Sequence, residues 1–183
     1  MFDPKKHHRR SIRLKGYDYS QEGLYFLTIC CKNRECLFGE IINQDIKLNR
    51  LGQMVYHEWL NTKNIRNNIE LLNFVIMPNH LHAIIQIIQK KGTSEDLGKF
   101  KSPKQTIGSI VRGFKISVIK QLKDEYRRGE LQFAPTNALY AMDFNIWQRN
   151  YYEHIIRNEK SFDEIVNYIQ NNPLNWERDC FYI

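Results

Sequence analysis

Cysteine is scarce in this chain: Cys30, Cys31, Cys36 and Cys180 are the four among 183 residues, and no two stand in CxxC spacing. Cys30 and Cys31 would face opposite sides of a strand. A reduced, cytoplasmic protein without a disulfide framework is expected. No apolar run approaches the ~20 residues that a membrane-spanning helix needs. The basic stretch Lys5-Lys6-His7-His8-Arg9-Arg10 is not followed by the apolar core of a secretory signal. No membrane partner and no export are therefore expected. No internal repeat is visible.

What is present describes one globular domain over 1–183. Hydrophobic residues make up 42% and charged residues 26%, enough apolar material for a real core. The net charge of +7 points toward a polyanion, and 13% aromatic residues offer stacking surfaces. Basic residues concentrate in an N-terminal arm, 1–20, and in a segment carrying Lys104, Arg112, Lys115, Lys120, Lys123, Arg127 and Arg128. Phosphate contact is one reading of that segment; a solvated helix face is the other.

Leu24 to Cys31 is rich in aromatic and β-branched residues and reads as a strand. Leu48, Leu51, Val55 and Trp59 stand at helical spacing, so a helix is expected from Leu48 to about Ile65. A hairpin of Glu70–Met77 and His80–Gln89 follows, then a polar, flexible loop over 90–102. Pro103 suits a first helical turn, and Ile107, Ile110, Val111, Phe114, Val118 and Leu122 make an apolar stripe behind it. The stretch from Gly129 to Asp143 reads as irregular. Ile146 to Arg157 reads as a last strand, with Tyr152, His154 and Ile156 alternating against Tyr151, Glu153 and Ile155. A closing helix runs from Phe162 to about Asn171. The order β-α-β-β-α-β plus a helix predicts an α+β fold, a ferredoxin-like antiparallel sheet with an appended C-terminal helix.

The hairpin carries the most informative residues. Met77-Pro78-Asn79 breaks two apolar runs as a tight turn, and His80-Leu81-His82 opens the second strand. Alternation sends both imidazoles to one face and Leu81 to the other. Two imidazoles two residues apart can grip one divalent ion, although an isolated His-x-His more often binds nothing.

The closing helix supplies matching groups. Ser161 and Glu164 read as a capping box that begins it, and Pro173 should stop it by pushing Asn172 away from helical dihedrals. Phe162, Ile165, Val166 and Ile169 form its buried stripe. Tyr168 falls on the flank of that stripe, with Asn172 four residues further on the same flank. A half-buried edge aromatic is the ordinary role of such a tyrosine. A phenol becomes a nucleophile only beside an activated electrophile, and a metal on His80 and His82 would activate a phosphodiester. The amide oxygen of Asn172 suits Mg²⁺ or Mn²⁺ as a third ligand.

Three segments, Met77-Pro-Asn-His-Leu-His82, Trp147-Gln-Arg-Asn-Tyr-Tyr-Glu-His-Ile-Ile-Arg157 and Tyr168-Ile-Gln-Asn-Asn-Pro173, together resemble the IS200-like single-tyrosine transposases, most closely their REP-associated branch. The resemblance runs from about Tyr25 to Trp176. It implies a metal-dependent single-stranded DNA endonuclease and strand transferase of the HUH class. In that family the paired histidines and a residue one turn past the tyrosine hold Mg²⁺ or Mn²⁺, and the tyrosine forms a 5′-phosphotyrosyl link, leaving a free 3′-OH. By position, His80 and His82 match the ligand pair, Asn172 the third ligand and Tyr168 the nucleophile. His154 and Arg157 belong to a family signature without an assigned chemistry; Arg149 and Arg157 join the candidate DNA contacts.

Expected partners are single-stranded DNA hairpins, REP-like or from an insertion-sequence end. Insertion-sequence relatives resemble dimers that exchange the tyrosine helix and REP-associated relatives resemble monomers, so monomer and homodimer both stay open. Little chain follows the helix before Ile183, so no long C-terminal extension is expected. Two alternatives differ in chemistry: a metal nuclease that activates water without a covalent step, and a non-catalytic ferredoxin-like nucleic-acid binder whose aromatics stack bases.

Overall fold

A period of two along the strands and about 3.6 along the helices sorts the apolar residues into two cores on either side of one sheet. The computed structural model describes residues 18–88, 106–130 and 144–182. Most of the basic arm, the 90–102 loop, Pro103, Lys104 and most of the stretch read as irregular lie outside the described residues.

The described elements are β1 (Gly23–Cys30), β2 (Gly39–Ile42), β3 (Asp45–Leu48), α1 (Arg50–Ile65), β4 (Ile69–Met77), β5 (His80–Ile87), α2 (Ile107–Arg127), β6 (Tyr152–Ile156) and α3 (Glu159–Asn171), followed by a 3-10 segment, Pro173–Arg178. The main sheet has the order β4-β5-β1-β6, and each of its pairings is antiparallel. This is the expected α+β, ferredoxin-like arrangement with a helix appended at its C-terminal end.

On one face, Tyr25, Leu27 and Ile29 of β1 and Leu81, Ala83, Ile85 and Ile87 of β5 meet Leu51, Met54, Val55 and Trp59 of α1. The α2 stripe, from Ile107 through Phe114 to Leu122, completes that core. Arg50 of α1 grips the buried Glu125 of α2 at 2.6 and 3.0 Å, fixing how the two helices cross. On the other face, Phe26, Ile84 and Ile156 receive Ile169 of α3, with Phe162, Ile165 and Val166 around it. The stripe expected of the closing helix is therefore what docks it, and β5 is sandwiched between the two layers.

Several boundaries differ from the sequence reading. Leu48 belongs to β3, and α1 starts behind it with Asn49 as cap, the Asn49 side chain accepting from the Gly52 N–H. A β-carbon at position 52 would stand 2.0 Å from the Phe38 carbonyl oxygen, so only glycine lets the first turn pass this close. The β2–β3 hairpin was not anticipated: its turn residues Asn43 and Gln44 both have positive φ (52° and 69°), the geometry normally advertised by glycine. Thr106 leads into α2, its side chain accepting from the Ser109 N–H. The last strand is shorter than expected, because Trp147 contributes only an isolated bridge to Cys31 before β6 begins at Tyr152.

The closing helix is also corrected at both ends. Asn158 is its cap, accepting from the Ser161 N–H at 2.8 Å, so Ser161 sits inside the first turn and the capping box does not form. Asn172 keeps α-helical dihedrals (φ −60°, ψ −43°) despite the following proline. Pro173 opens the 3-10 segment, where a missing N–H costs nothing, and Asn172 C=O accepts from Asn175 N–H.

Candidate active site

Pro78 and Asn79 form the two-residue turn, and pairing of Met77 with His80 fixes the register. His80 and His82 consequently project to the α3 side, buried, while Leu81 enters the α1–α2 core. Their rings lie 4.3 Å apart between centroids. Phe26 stacks on His82 at 5.2 Å, and Phe181 approaches His80 at 4.5 Å.

The hydrogen-bond pattern fixes what His80 offers. Asn79 Nδ2 donates to the carbonyls of Arg34 and Phe181, each at 2.8 Å, so its Oδ1 must be the atom 2.8 Å from His80 Nδ1. A carboxamide oxygen can only accept, so His80 carries its proton on Nδ1. Its Nε2 is left as a buried, bare lone pair, without a partner among the described residues. Asn172 Oδ1 is likewise buried and without a partner among the described residues. The Asn172 amide is close enough to act on the His80 ring. Two buried acceptors with no donor cost about 1–3 kcal/mol each until a donor or a cation joins them. A cation would satisfy both.

His82 completes the arrangement. Its Nδ1 lies 2.9 Å from the Thr28 hydroxyl, which can donate or accept and so fits the tautomer that frees Nε2 for a metal. Its Nε2 lies 3.1 Å from the Tyr168 hydroxyl. Burial holds both imidazoles down to about 3, opposed at His80 by the Asn172 amide and reinforced at His82 by the neighbouring His80. Both are thus neutral at physiological pH, as metal ligation requires.

Tyr168 is 42% exposed. Partial burial, then the adjacent Asp179 carboxylate, raise its pKa well above that of an ordinary phenol. Asp179 Oδ2 accepts from that hydroxyl at 3.3 Å and from Asn172 Nδ2 at 2.7 Å. Asp179 escaped the sequence reading. It stands beyond the helix with no motif around it, and only the return of the 3-10 segment brings it to the histidines.

The structure thus gathers His80, His82, Tyr168 and Asn172 into one cluster. The basic candidates are placed elsewhere. Arg112, Lys115, Lys120 and Lys123 belong to α2, in the layer on the opposite side of the sheet. Lys115 donates to the Gln148 and Asn150 carbonyls at 2.8 and 2.7 Å, and burial holds its ammonium down to about 8. Lys123 lies over the Phe144 ring. Arg149 is exposed beside Lys32, Arg34 and Gln148 in an open cleft, and Arg157 is exposed at the end of β6. His154 is exposed on β6, opposite Phe26. We expect Lys115→Met to lower stability by about 1–3 kcal/mol, because it strips two carbonyls of their donor. Urea unfolding checks this; an unchanged midpoint would show that the lysine does not hold the segment before β6.

No protein-family model matches the chain. A Haemophilus influenzae protein named only "Uncharacterized protein" is 50% identical over 185 residues, covering 97% of this chain and 94% of the relative. A second protein of that organism, named "Putative REP-associated tyrosine transposase", is 26% identical over 158 residues, covering 86% of this chain and 73% of the relative. Among solved structures, a REP-associated tyrosine transposase bound to a REP hairpin gives a TM-score of 0.55 at 23% identity, covering 91% of this chain and 74% of that one. That likeness shows the fold. Among the described residues, no helix is long and apolar enough to cross a membrane. With the three motifs in family order on this fold, the chain is similar to the REP-associated tyrosine transposases.

Proposed function

We propose that this protein is a metal-dependent single-stranded DNA endonuclease and strand transferase that cuts beside short hairpins through a 5′-phosphotyrosine intermediate. One observation carries the reading: the Tyr168 hydroxyl lies 3.1 Å from His82 Nε2, beside two buried acceptors, His80 Nε2 and Asn172 Oδ1, that lack a donor among the described residues. A nucleophile in contact with a cation-seeking cluster suits attack on a phosphodiester better than hydrolysis by water or passive binding.

His80, His82 and Asn172 would hold Mg²⁺ or Mn²⁺. When bound, the ion supplies positive charge that polarises a non-bridging phosphate oxygen and offsets the raised pKa of the phenol. Tyr168 Oη gives up its proton to solvent and bonds to phosphorus; the bond from phosphorus to the 3′ oxygen breaks, and that oxygen takes a proton from solvent and leaves as a 3′-hydroxyl. The reverse attack by a 3′-hydroxyl rejoins strands and releases the tyrosine.

The hairpin substrate is suggested by the related solved protein, which is bound to a REP hairpin, and by the net charge of +7 here. Arg112, Lys120, Arg149 and Arg157 are exposed and available to phosphates. The four cysteines are free, consistent with work in the cytoplasm.

Incubation with end-labelled single-stranded hairpins tests the proposal. A covalent adduct should form with Mg²⁺ or Mn²⁺ and disappear with EDTA. Cleavage without an adduct would favour activated water. Binding without cleavage under either condition would favour a non-catalytic binder.

A further inference from the structure

The ligand set just proposed has a deficit. Both imidazoles are neutral and Asn172 is a neutral amide, so His80, His82 and Asn172 bring no negative charge to a divalent ion. Mg²⁺ and Mn²⁺ favour hard anionic oxygen, and drawing a dication out of water into a site without compensating charge is costly.

Resting on the metal-dependent reading, we infer that Asp179 is a metal-ligating residue of the same centre and supplies its anionic oxygen. A ligand atom of Asp179 and one from each of His80 and His82 all lie within 4.8 Å of one another. Bonds of about 2.0–2.2 Å set atoms on opposite sides of an ion about 4.0–4.4 Å apart, so modest side-chain settling lets one ion touch all three.

The carboxylate is also held in place. Phe181 N–H donates to Oδ1 at 2.7 Å, and Asn172 Nδ2 donates to Oδ2 at 2.7 Å. Tail residues just beyond it are pinned: Arg34 Nη1 donates to the Cys180 carbonyl and Asn79 Nδ2 to the Phe181 carbonyl, each at 2.8 Å. Asn79 is the side chain that fixes the His80 tautomer, so one residue orients a histidine ligand and anchors the tail that delivers Asp179. Arg34, the cation anchored beside it, spends its guanidinium on a carbonyl and the Phe181 ring, and among the described residues Asp179 forms no ion pair.

Mn²⁺ titration followed by the electron paramagnetic resonance of the free ion tests this on the full chain, with and without a single-stranded hairpin. Asp179→Asn should weaken Mn²⁺ binding tenfold or more and leave hairpin binding in EDTA unchanged. Equal Mn²⁺ affinity in wild type and Asp179→Asn overturns the inference while the metal reading stands. No Mn²⁺ binding by wild type, with or without DNA, overturns the metal reading itself. Should the variant fail to fold, wild-type crystals grown with Mn²⁺ decide. An anomalous peak about 2.0–2.4 Å from an Asp179 oxygen supports the assignment, and one bonded to His80 and His82 but more than about 3.5 Å from Asp179 refutes it.

Discussion

Tyr168→Phe is expected to abolish the covalent protein–DNA adduct and to lower strand cleavage by at least about a thousandfold, with fold and hairpin binding preserved. The substitution removes one oxygen. The ring keeps its edge contact with Phe26 at 6.2 Å, and α3 keeps its docked stripe of Phe162, Ile165, Val166 and Ile169. What is lost is the hydroxyl against His82 and Asp179. The rival is Tyr152, which is 51% exposed and approaches the same Phe26 ring edge-on at 6.5 Å. Its neighbour Tyr151 packs against the α1–α2 core on the other side of the sheet. Tyr168 is favoured because its hydroxyl touches a candidate metal ligand. Tyr152→Phe should therefore retain the adduct. Mapping the 5′-linked tyrosine by mass spectrometry checks both variants, and a link at Tyr151 or Tyr152 would overturn the assignment.

Replacing His80 and His82 together by alanine should lower cleavage by at least about a thousandfold, because the positive charge at the reacting phosphate is lost with its ligands. Hairpin binding should persist, since the exposed Arg112, Lys120, Arg149 and Arg157 are untouched. The rings are buried, so the double variant leaves a cavity and costs on the order of 1–3 kcal/mol of stability. Removing the unpartnered His80 Nε2 partly offsets this loss. Thermal melting measured alongside cleavage separates the effects: a folded, DNA-binding, inactive protein is expected. Wild-type rates in the double variant with EDTA present would refute the metal centre.

The parts of this site legible in the sequence are those set by local periodicity. His80 and His82 share a face because a strand alternates, and the Pro78-Asn79 turn announces where that strand begins. Tyr168 and Asn172 share a flank because a helix brings residues four apart together. The sheet order follows from the succession of elements, since few ways of connecting them without crossing remain. Signals that depended on one residue's chemistry misled. A capping-box pattern at Ser161 lost to Asn158, whose side chain reached the helix end first, and the β2–β3 turn formed at Asn43-Gln44 without a glycine.

By itself, then, the sequence determined the strand that bears the histidines, the helix that bears the tyrosine and the face each residue occupies. Tertiary structure alone decided that these faces meet. It put the phenol 3.1 Å from His82, turned Lys115 from a phosphate candidate into a clamp on two carbonyls, and brought Asp179 back from the tail. It also left His80 Nε2 and Asn172 Oδ1 buried without a donor among the described residues. The physical reason is range: alternation and helical spacing act over two to four residues and are written into any short window of sequence. The contacts that make the site join positions 28 with 82, 79 with 181 and 82 with 168, and such pairings exist only once both layers have packed on the sheet.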